Sequence, residues 1–184
     1  MLPTKLVKLT ALMQRTSGSP EVRIGLIDGP VFTQHADLVQ GQLIGGRNGA
    51  SCTQTDSGAC LHGTFVASIL AAKRTSSAPA ICPNCTLLIR PIFSETTFGR
   101  EHMPSATPQE LATAIFDCIN AGARVINLSL ALAQPSTRGE QVLDEASQTT
   151  RANRQPTTSA CPASLLMRKS GWAMPSNAPP PILG

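Results

Sequence analysis

The sequence predicts a mixed α/β fold with a parallel central sheet. Three short segments rich in Val, Ile and Leu have the length and composition of buried strands, and they lie at residues 22–27, 85–93 and 125–132. The segments between and after these strands carry helical periodicity and helix start signals. Since strands that alternate with helices form parallel sheets, the order of the elements favours a single α/β domain.

The N-terminal part, residues 1–19, is expected to hold a short helix and a linker. Apolar residues recur at helical spacing within residues 5–15, and Ser17-Gly-Ser-Pro20 breaks this pattern before the first strand. The first strand leads into Asp28, which the turn signal Gly29-Pro30 follows. Asp28 is therefore expected at the carboxyl end of a strand, the edge where open parallel sheets place active-site residues.

Three further helices follow from local signals. Apolar residues at helical spacing, together with several alanines, predict a helix over residues 63–74. The segment Thr107-Pro-Gln-Glu110 combines a capping box with proline at the first helical position, and its helix is predicted to run to Ala123. Thr137 and the glutamate three positions later offer another capping box, for a helix that continues through Ala146.

Asp28 and His62 are the candidate catalytic residues. A serine hydroxyl becomes a nucleophile when a neutral imidazole takes its proton and a carboxylate orients that imidazole. Because His62 directly precedes a predicted helix, the positive end of the helix dipole is expected to hold its ring neutral. Two structural alternatives fit the same residues, since an Asp before Gly-Pro is often a turn former and a His before a helix is often structural.

The text around these two residues resembles the Asp and His motifs of subtilisin-like serine proteases. The first motif is Ile27-Asp-Gly-Pro-Val31, and the second is His62-Gly-Thr-Phe-Val-Ala-Ser68. The segment Val125-Ile-Asn-Leu-Ser-Leu130 resembles the substrate-pairing strand of the same family. A closer resemblance, over residues 20–146, is to the cyanobactin maturation proteases of the patellamide type, and Cys82-Pro-Asn-Cys-Thr-Leu-Leu-Ile-Arg-Pro-Ile92 adds to it.

This resemblance implies a three-layer subtilisin-like fold and a serine-type endopeptidase that processes precursor peptides. Asp28 and His62 take the catalytic roles. Ser129, Leu130 and Ala131 match the segment whose main chain binds an extended peptide by strand addition. An ordinary core strand is the alternative for that segment, and a non-catalytic peptide-binding remnant is the alternative for the whole chain.

Residues 151–184 change in character, so residues 20–150 are expected to form a C-terminally incomplete peptidase domain. From Arg151 onward there is no Asp or Glu, while Pro and Ser accumulate, which indicates a disordered or frame-shifted tail. The Gly-Thr-Ser-x-Ala segment that bears the nucleophile in this family does not occur, and we identify no nucleophile. The chain alone is expected to be inactive. The serines of the tail are expected to be loop residues: Ser159, Ser164, Ser170 and Ser176.

Four cysteines allow several interpretations. Cys82 and Cys85 have a spacing used by zinc and redox sites, and Cys52 with Cys60 completes four possible sulfur ligands. Free thiols are the default in a reducing compartment, and a disulfide between neighbouring loop cysteines is the other option. Cys118 lies on the apolar face of a predicted helix and is expected in the core.

Composition narrows the class of protein further. A hydrophobic fraction of 41% with only 3% aromatic residues predicts one soluble core of Val, Ile, Leu and Ala. The net charge of +4 is scattered, which argues against nucleic-acid binding, and no segment has the length of a membrane span. A cytoplasmic protein with a peptide partner and no cofactor is expected. Asp37 resembles a calcium-ligating carboxylate of some subtilases, but one oxygen ligand is too few, so no metal is predicted.

One explanation of the divergent tail is a reading-frame change upstream of Arg154, which we state as a hypothesis that rests on codon degeneracy. Arg154-Gln-Pro156 can be encoded by CGG-CAA-CCA, and a shift by one base gives a text that begins Gly-Asn, as expected for an oxyanion segment. We therefore expect the DNA beyond the codon for Gln148 to encode Gly-Thr-Ser-x-Ala in another frame. Its absence from both other frames excludes this explanation.

Overall fold

A computed structural model describes residues 8–38, 42–46, 49–95, 105–130 and 137–152. The helices in these ranges are α1 (Thr10–Arg15), α2 (Gly58–Ala71), α3 (Pro108–Asn120) and α4 (Thr137–Ala152). The four strands are β1 (Arg23–Asp28), β2 (Leu43–Gly45), β3 (Thr86–Pro91) and β4 (Val125–Leu128). No helix in these ranges is both long and apolar enough to cross a membrane.

The strands form one sheet in the order β2-β3-β1-β4, and every neighbouring pair is parallel. The predicted parallel sheet is therefore confirmed. β2 was absent from the sequence prediction because it has three residues, too few to show a periodicity. It is stabilised by pairing with β3, with Leu43 opposite Leu87.

The sheet lies between two helical layers. Ile24 and Leu26 of β1 pack in the core cluster that includes Val66 and Ala67 of α2. Because side chains alternate along a strand, the next residue, Ile27, points to the other face, where it joins the cluster formed with α3 and α4. This arrangement confirms the three-layer α/β fold class.

The observed helix boundaries correct one prediction. α2 begins at Gly58 instead of residue 63, and its N-cap is Ser57, whose side chain accepts a hydrogen bond from the Cys60 N–H. His62 is therefore the fifth residue of α2, beyond the first turn, where the helix dipole has less influence. The predicted capping box of α3 is present, with Thr107 and Glu110 bonded reciprocally.

The two ends of the described chain differ from the predictions in extent. α1 lies within the predicted 5–15 segment, and the Arg74 guanidinium holds its C-terminal end by donating to the Met13 and Thr16 carbonyls. α4 extends past Ala146 to Ala152. The serines expected in the tail lie outside the described residues.

α2 approaches the turn after β1 closely enough to exclude side chains. A Cβ on Gly63 would lie 2.5 Å from the Pro30 carbonyl oxygen and 2.6 Å from the Gly29 oxygen. A Cβ on Gly29 would lie 2.1 Å from the Ala59 oxygen. Since these neighbours are backbone atoms, a side chain at either glycine requires the helix or the turn to move.

We predict that Gly63→Ala destabilises the fold by about 1–3 kcal/mol, the usual cost of overpacking. Gly58→Ala is the matched control in the same helix, because a Cβ there meets nothing within 4 Å. The control is expected to be neutral or to stabilise by up to about 1 kcal/mol through helix propensity. Free energies of unfolding from urea titrations measure both effects, and equal stability of the two variants would contradict the close approach.

Candidate active site

Asp28 and His62 are in direct contact at the carboxyl edge of the sheet. The Nδ1 atom of His62 lies 2.7 Å from Oδ1 of Asp28. β1 supplies the carboxylate as its last residue, and α2 supplies the ring from its second turn. The structure thus joins the two residues that the sequence singled out, although they are 34 positions apart.

The surroundings of Asp28 define which nitrogen of His62 carries a proton. Asp28 is 1% exposed, and its Oδ1 also accepts the Gly29 N–H at 2.7 Å. An ionised carboxylate only accepts hydrogen bonds, so Nδ1 of His62 is the donor. The Nε2 atom of the neutral ring then holds its lone pair free, as a proton acceptor requires.

The His62 ring faces outward while its partner is buried. The side chain of His62 is 45% exposed, and no described residue forms a hydrogen bond with Nε2. Oδ2 of Asp28 is buried without a hydrogen-bond partner among the described residues. A buried unpartnered carboxylate oxygen carries a desolvation cost, and such groups concentrate at functional sites.

The predicted peptide-pairing segment lies at the same edge of the sheet. Ile27 is opposite Leu128 in the β1–β4 register, so Ser129 follows β4 at the level of Asp28. Ser129 is exposed, and its hydroxyl donates to Oδ1 of Asn127 at 3.0 Å. Leu130 packs against the core cluster beneath α3. The third predicted residue, Ala131, lies outside the described residues.

The cysteines form two disulfides, Cys52–Cys60 and Cys82–Cys85, with Cα separations of 5.7 and 5.5 Å. The default expectation of free thiols is therefore corrected for these four residues. A single four-sulfur zinc site is also excluded. Cys60 lies in the first turn of α2, whereas the main-chain N–H of Cys82 donates to the Leu70 carbonyl near the last turn of the same helix. Along the helix, Cys60 and Leu70 are roughly 15 Å apart at 1.5 Å per residue.

Cys118 is the free cysteine among the described residues, and it lies in the core as predicted. Its side chain is fully buried beside β1, where a Cβ on Gly25 would come within 2.7 Å of the sulfur. Burial raises the pKa of the Cys118 thiol to about 11, so the thiol is uncharged at neutral pH. Its position and protonation fit a packing residue.

Glu95 is a residue that the sequence analysis missed. Its carboxylate accepts hydrogen bonds from the N–H groups of Thr53 and Gln54, both at 2.9 Å, and from the Thr53 hydroxyl. Burial alone would raise the pKa of Glu95, but these bonds and one from Ser57 outweigh burial and hold it below the ordinary value. A lone glutamate before an irregular segment carries no sequence signal for these contacts.

The donor atoms of Cys52, Cys60 and Glu95 lie within 4.8 Å of one another. This group has the chemistry of a metal site, with two sulfurs and one carboxylate. In the structure the sulfurs are bonded to each other, and the carboxylate oxygens accept the hydrogen bonds given above. These sulfur and oxygen atoms are therefore engaged in other bonds in this structure.

A cavity of about 610 Å³ lies beside Glu95, between the end of β3 and α3. Charged residues from both elements line it, and neither Asp28 nor His62 does. Its lining includes Arg90, Glu95, Glu110 and Asp117. The chemistry that Asp28 and His62 provide therefore lies outside this cavity.

Residues 19–167 match the profile of the subtilase family, peptidase family S8. This chain therefore belongs to the subtilase family of serine proteases. The match extends beyond Ala146, the last residue over which the resemblance was traced in the sequence. No curated protein sequence matches the chain.

Solved structures of maturation proteases share this fold. The prenylagaramide maturation protease PagA is 27% identical with a TM-score of 0.63, over 79% of this chain and 47% of PagA. The protease domain of PatA is 30% identical with a TM-score of 0.56, over 71% of this chain and 47% of that structure. The predicted resemblance to subtilisin-like proteases and to the patellamide-type maturation proteases is confirmed, and this chain spans about half the length of these structures.

We predict that Asp28→Asn removes the low-field proton NMR signal of the His62 Nδ1–H. The amide lacks the charge that makes this hydrogen bond roughly twice as strong as a neutral one, so the proton is no longer held in a short bond. Asp37→Asn is the control, since Asp37 is a second aspartate close in sequence that is not bonded to His62. Survival of the signal in Asp28→Asn would show that Asp28 does not hold the proton.

Proposed function

We propose that this chain carries the general base and the orienting carboxylate of a serine endopeptidase that processes precursor peptides. The observation that supports this proposal most directly is the 2.7 Å contact between buried Asp28 and half-exposed His62. In this role Nε2 of His62 takes the proton of a serine hydroxyl, and Asp28 stabilises the imidazolium that forms. The exposed side of the ring is where the serine would be placed.

The proposed substrate is an extended peptide that pairs with Ser129, Leu130 and Ala131. β4 is the edge strand of the described sheet, and Ser129 follows it on the same edge as Asp28. Main-chain pairing there would bring the peptide beside the candidate catalytic pair while tolerating varied side chains. PagA and PatA, which this chain resembles, are described as maturation proteases, and this description supports a precursor peptide as the substrate.

A nucleophile is not assigned to any residue of this chain. The segment that bears the serine in subtilases does not occur in the sequence, and we propose that these residues alone are inactive. The limits 20–150 for the peptidase domain and the cytoplasmic location also stay predictions.

The second candidate function is peptide binding without cleavage. It is favoured by the exposed edge at Ser129, which can bind a strand whether or not a nucleophile is present. The two functions make different demands on His62, because binding through the strand edge does not involve its ring.

We predict that a fluorophosphonate serine probe does not label this chain above the level of its His62→Ala variant. The probe reacts with an activated serine, and no serine here has the required context. Labelling is measured by intact-protein mass spectrometry. Robust labelling that His62→Ala abolishes would contradict the proposed inactivity and identify a serine by its mass-tagged peptide.

Titration calorimetry with short synthetic peptides tests the binding function on the same protein. Proline at position 129 or 130 removes one main-chain donor, and since alternate residues present their N–H to opposite edges, one of the two variants is expected to bind about five-fold more weakly. Ser129→Ala is the control that keeps the main chain. Unchanged binding in both proline variants would exclude strand addition at this edge, and peptide cleavage would exclude the purely binding function.

A further inference from the structure

The loop before α2 is held from one side by a single carboxylate. Glu95 follows β3, yet its carboxylate accepts hydrogen bonds from Thr53 and Gln54, which precede α2. The bond from the Thr53 hydroxyl is 2.5 Å long, and the sequence separation is 42 residues. Charge-assisted bonds of this kind are stronger than neutral ones, so Glu95 is the main polar link between the two segments.

The same carboxylate reaches the first turn of α2 through Ser57. The Gln54 carbonyl accepts the Ser57 N–H at 3.1 Å, and the Ser57 hydroxyl oxygen accepts the Cys60 N–H at 3.2 Å. Ser57 is 5% exposed, so little water competes for these bonds. Its carbonyl also accepts the Leu61 N–H at 2.9 Å, one residue before His62. Glu95 is thus linked to the part of the helix from which His62 projects.

The Cys52–Cys60 disulfide forms a second connection between this loop and α2. Cys52 lies at the start of the loop, and Cys60 is buried two residues before His62. The disulfide connects the loop to the helix, whereas Glu95 connects both to the segment after β3. The loop also bonds to the turn after β1 through the N–H and carbonyl of Val31, and Glu95 adds a link to the segment after β3.

We propose that Glu95 is a positioning residue for the Asp28–His62 pair and acts by fixing the N-terminal turn of α2 through Thr53, Gln54 and Ser57. This inference rests on the proposed function, which assigns the pair its catalytic role. Glu95 touches neither member of the pair. Glu95 fixes the position of the first turn of α2, and the 2.7 Å contact of His62 with Asp28 depends on that position.

The experiment compares Glu95→Gln with Glu110→Gln in the full chain. The amide of Glu95→Gln places a donor against the N–H groups of the loop, which bond to both carboxylate oxygens. Glu110→Gln removes a nearby carboxylate charge, and its amide oxygen can still accept the Thr107 N–H in the capping box of α3. We expect Glu95→Gln to remove the low-field His62 Nδ1–H signal and to speed amide exchange of residues 58–62 at least about ten-fold, the effect of roughly 1.4 kcal/mol. Glu110→Gln is expected to leave both unchanged.

Thr53→Val provides a second variant in case Glu95→Gln fails to fold. It removes the hydroxyl bond and keeps the Glu95 charge, so a smaller change in the same direction is expected. All variants are measured with and without a dithiol reductant, which opens Cys52–Cys60 to two thiols and is itself oxidised to a disulfide. We expect larger effects after reduction. A His62 signal unchanged by either variant in both conditions would overturn the inference.

The pH dependence of the folding stability provides an independent test of the role of Glu95. The pKa of Glu95 is lower in the folded protein, so its contribution to stability is present above the ordinary glutamate pKa and is lost as pH falls through the folded value. The stability difference between the wild type and Glu95→Gln is expected to shrink over that acidic range, and a pH-independent difference would count against the proposed role of the Glu95 carboxylate. Glu95 bonds to uncharged groups of the loop, and the charged residues that line the same cavity are Arg90, Glu110 and Asp117.

The outcomes separate this inference from the proposed function. If Asp28→Asn leaves the His62 signal of the wild type unchanged, Asp28 does not hold the Nδ1 proton and the proposed function itself is contradicted. If Asp28→Asn removes the signal and Glu95→Gln speeds exchange without affecting it, the pair stands and Glu95 is only a loop-stabilising residue.

Discussion

The site depends on how closely α2 can lie against the turn after β1. Gly63 faces the backbone of Gly29 and Pro30, and Gly29 faces the backbone of Ala59, with room for no Cβ on either glycine. A hydrogen bond weakens when its atoms separate by a few tenths of an ångström, so a helix displaced by one methyl group would lose the Asp28–His62 contact. Two residues without side chains thus determine whether the two residues with chemistry meet.

The close packing of α2 against this turn also accompanies the burial of a charged group at the end of β1. Asp28 ends a strand whose preceding residues pack on both faces of the sheet, so the carboxylate lies between two apolar layers. Burial of a charge costs stability unless the charge is bonded, and here the Gly29 N–H and the His62 ring share one of its oxygens. The conflict between burial and charge is local to the candidate site, as expected for a functional group in an otherwise consistent fold.

Elements with strong local signals were predictable. The capping box at Thr107 and Glu110 and the apolar run of β1 both appear where the sequence placed them. β2 was not predictable, because its three residues gain their structure from pairing with β3. The start of α2 was misplaced although Ser57 is a common N-cap residue, because the glycine that follows it weakens the helical pattern.

The sequence by itself determined the order of the helices and of every strand except β2, singled out Asp28 and His62, and indicated the family to which their motifs belong. Local backbone preferences and side-chain periodicity are properties of neighbouring residues, so they can be read along the chain. The tertiary structure alone decided the 2.7 Å contact, the pairing of Cys52 with Cys60 and the bonds of Glu95 to Thr53. These contacts join separate elements, and their geometry follows from how the helices pack on the sheet.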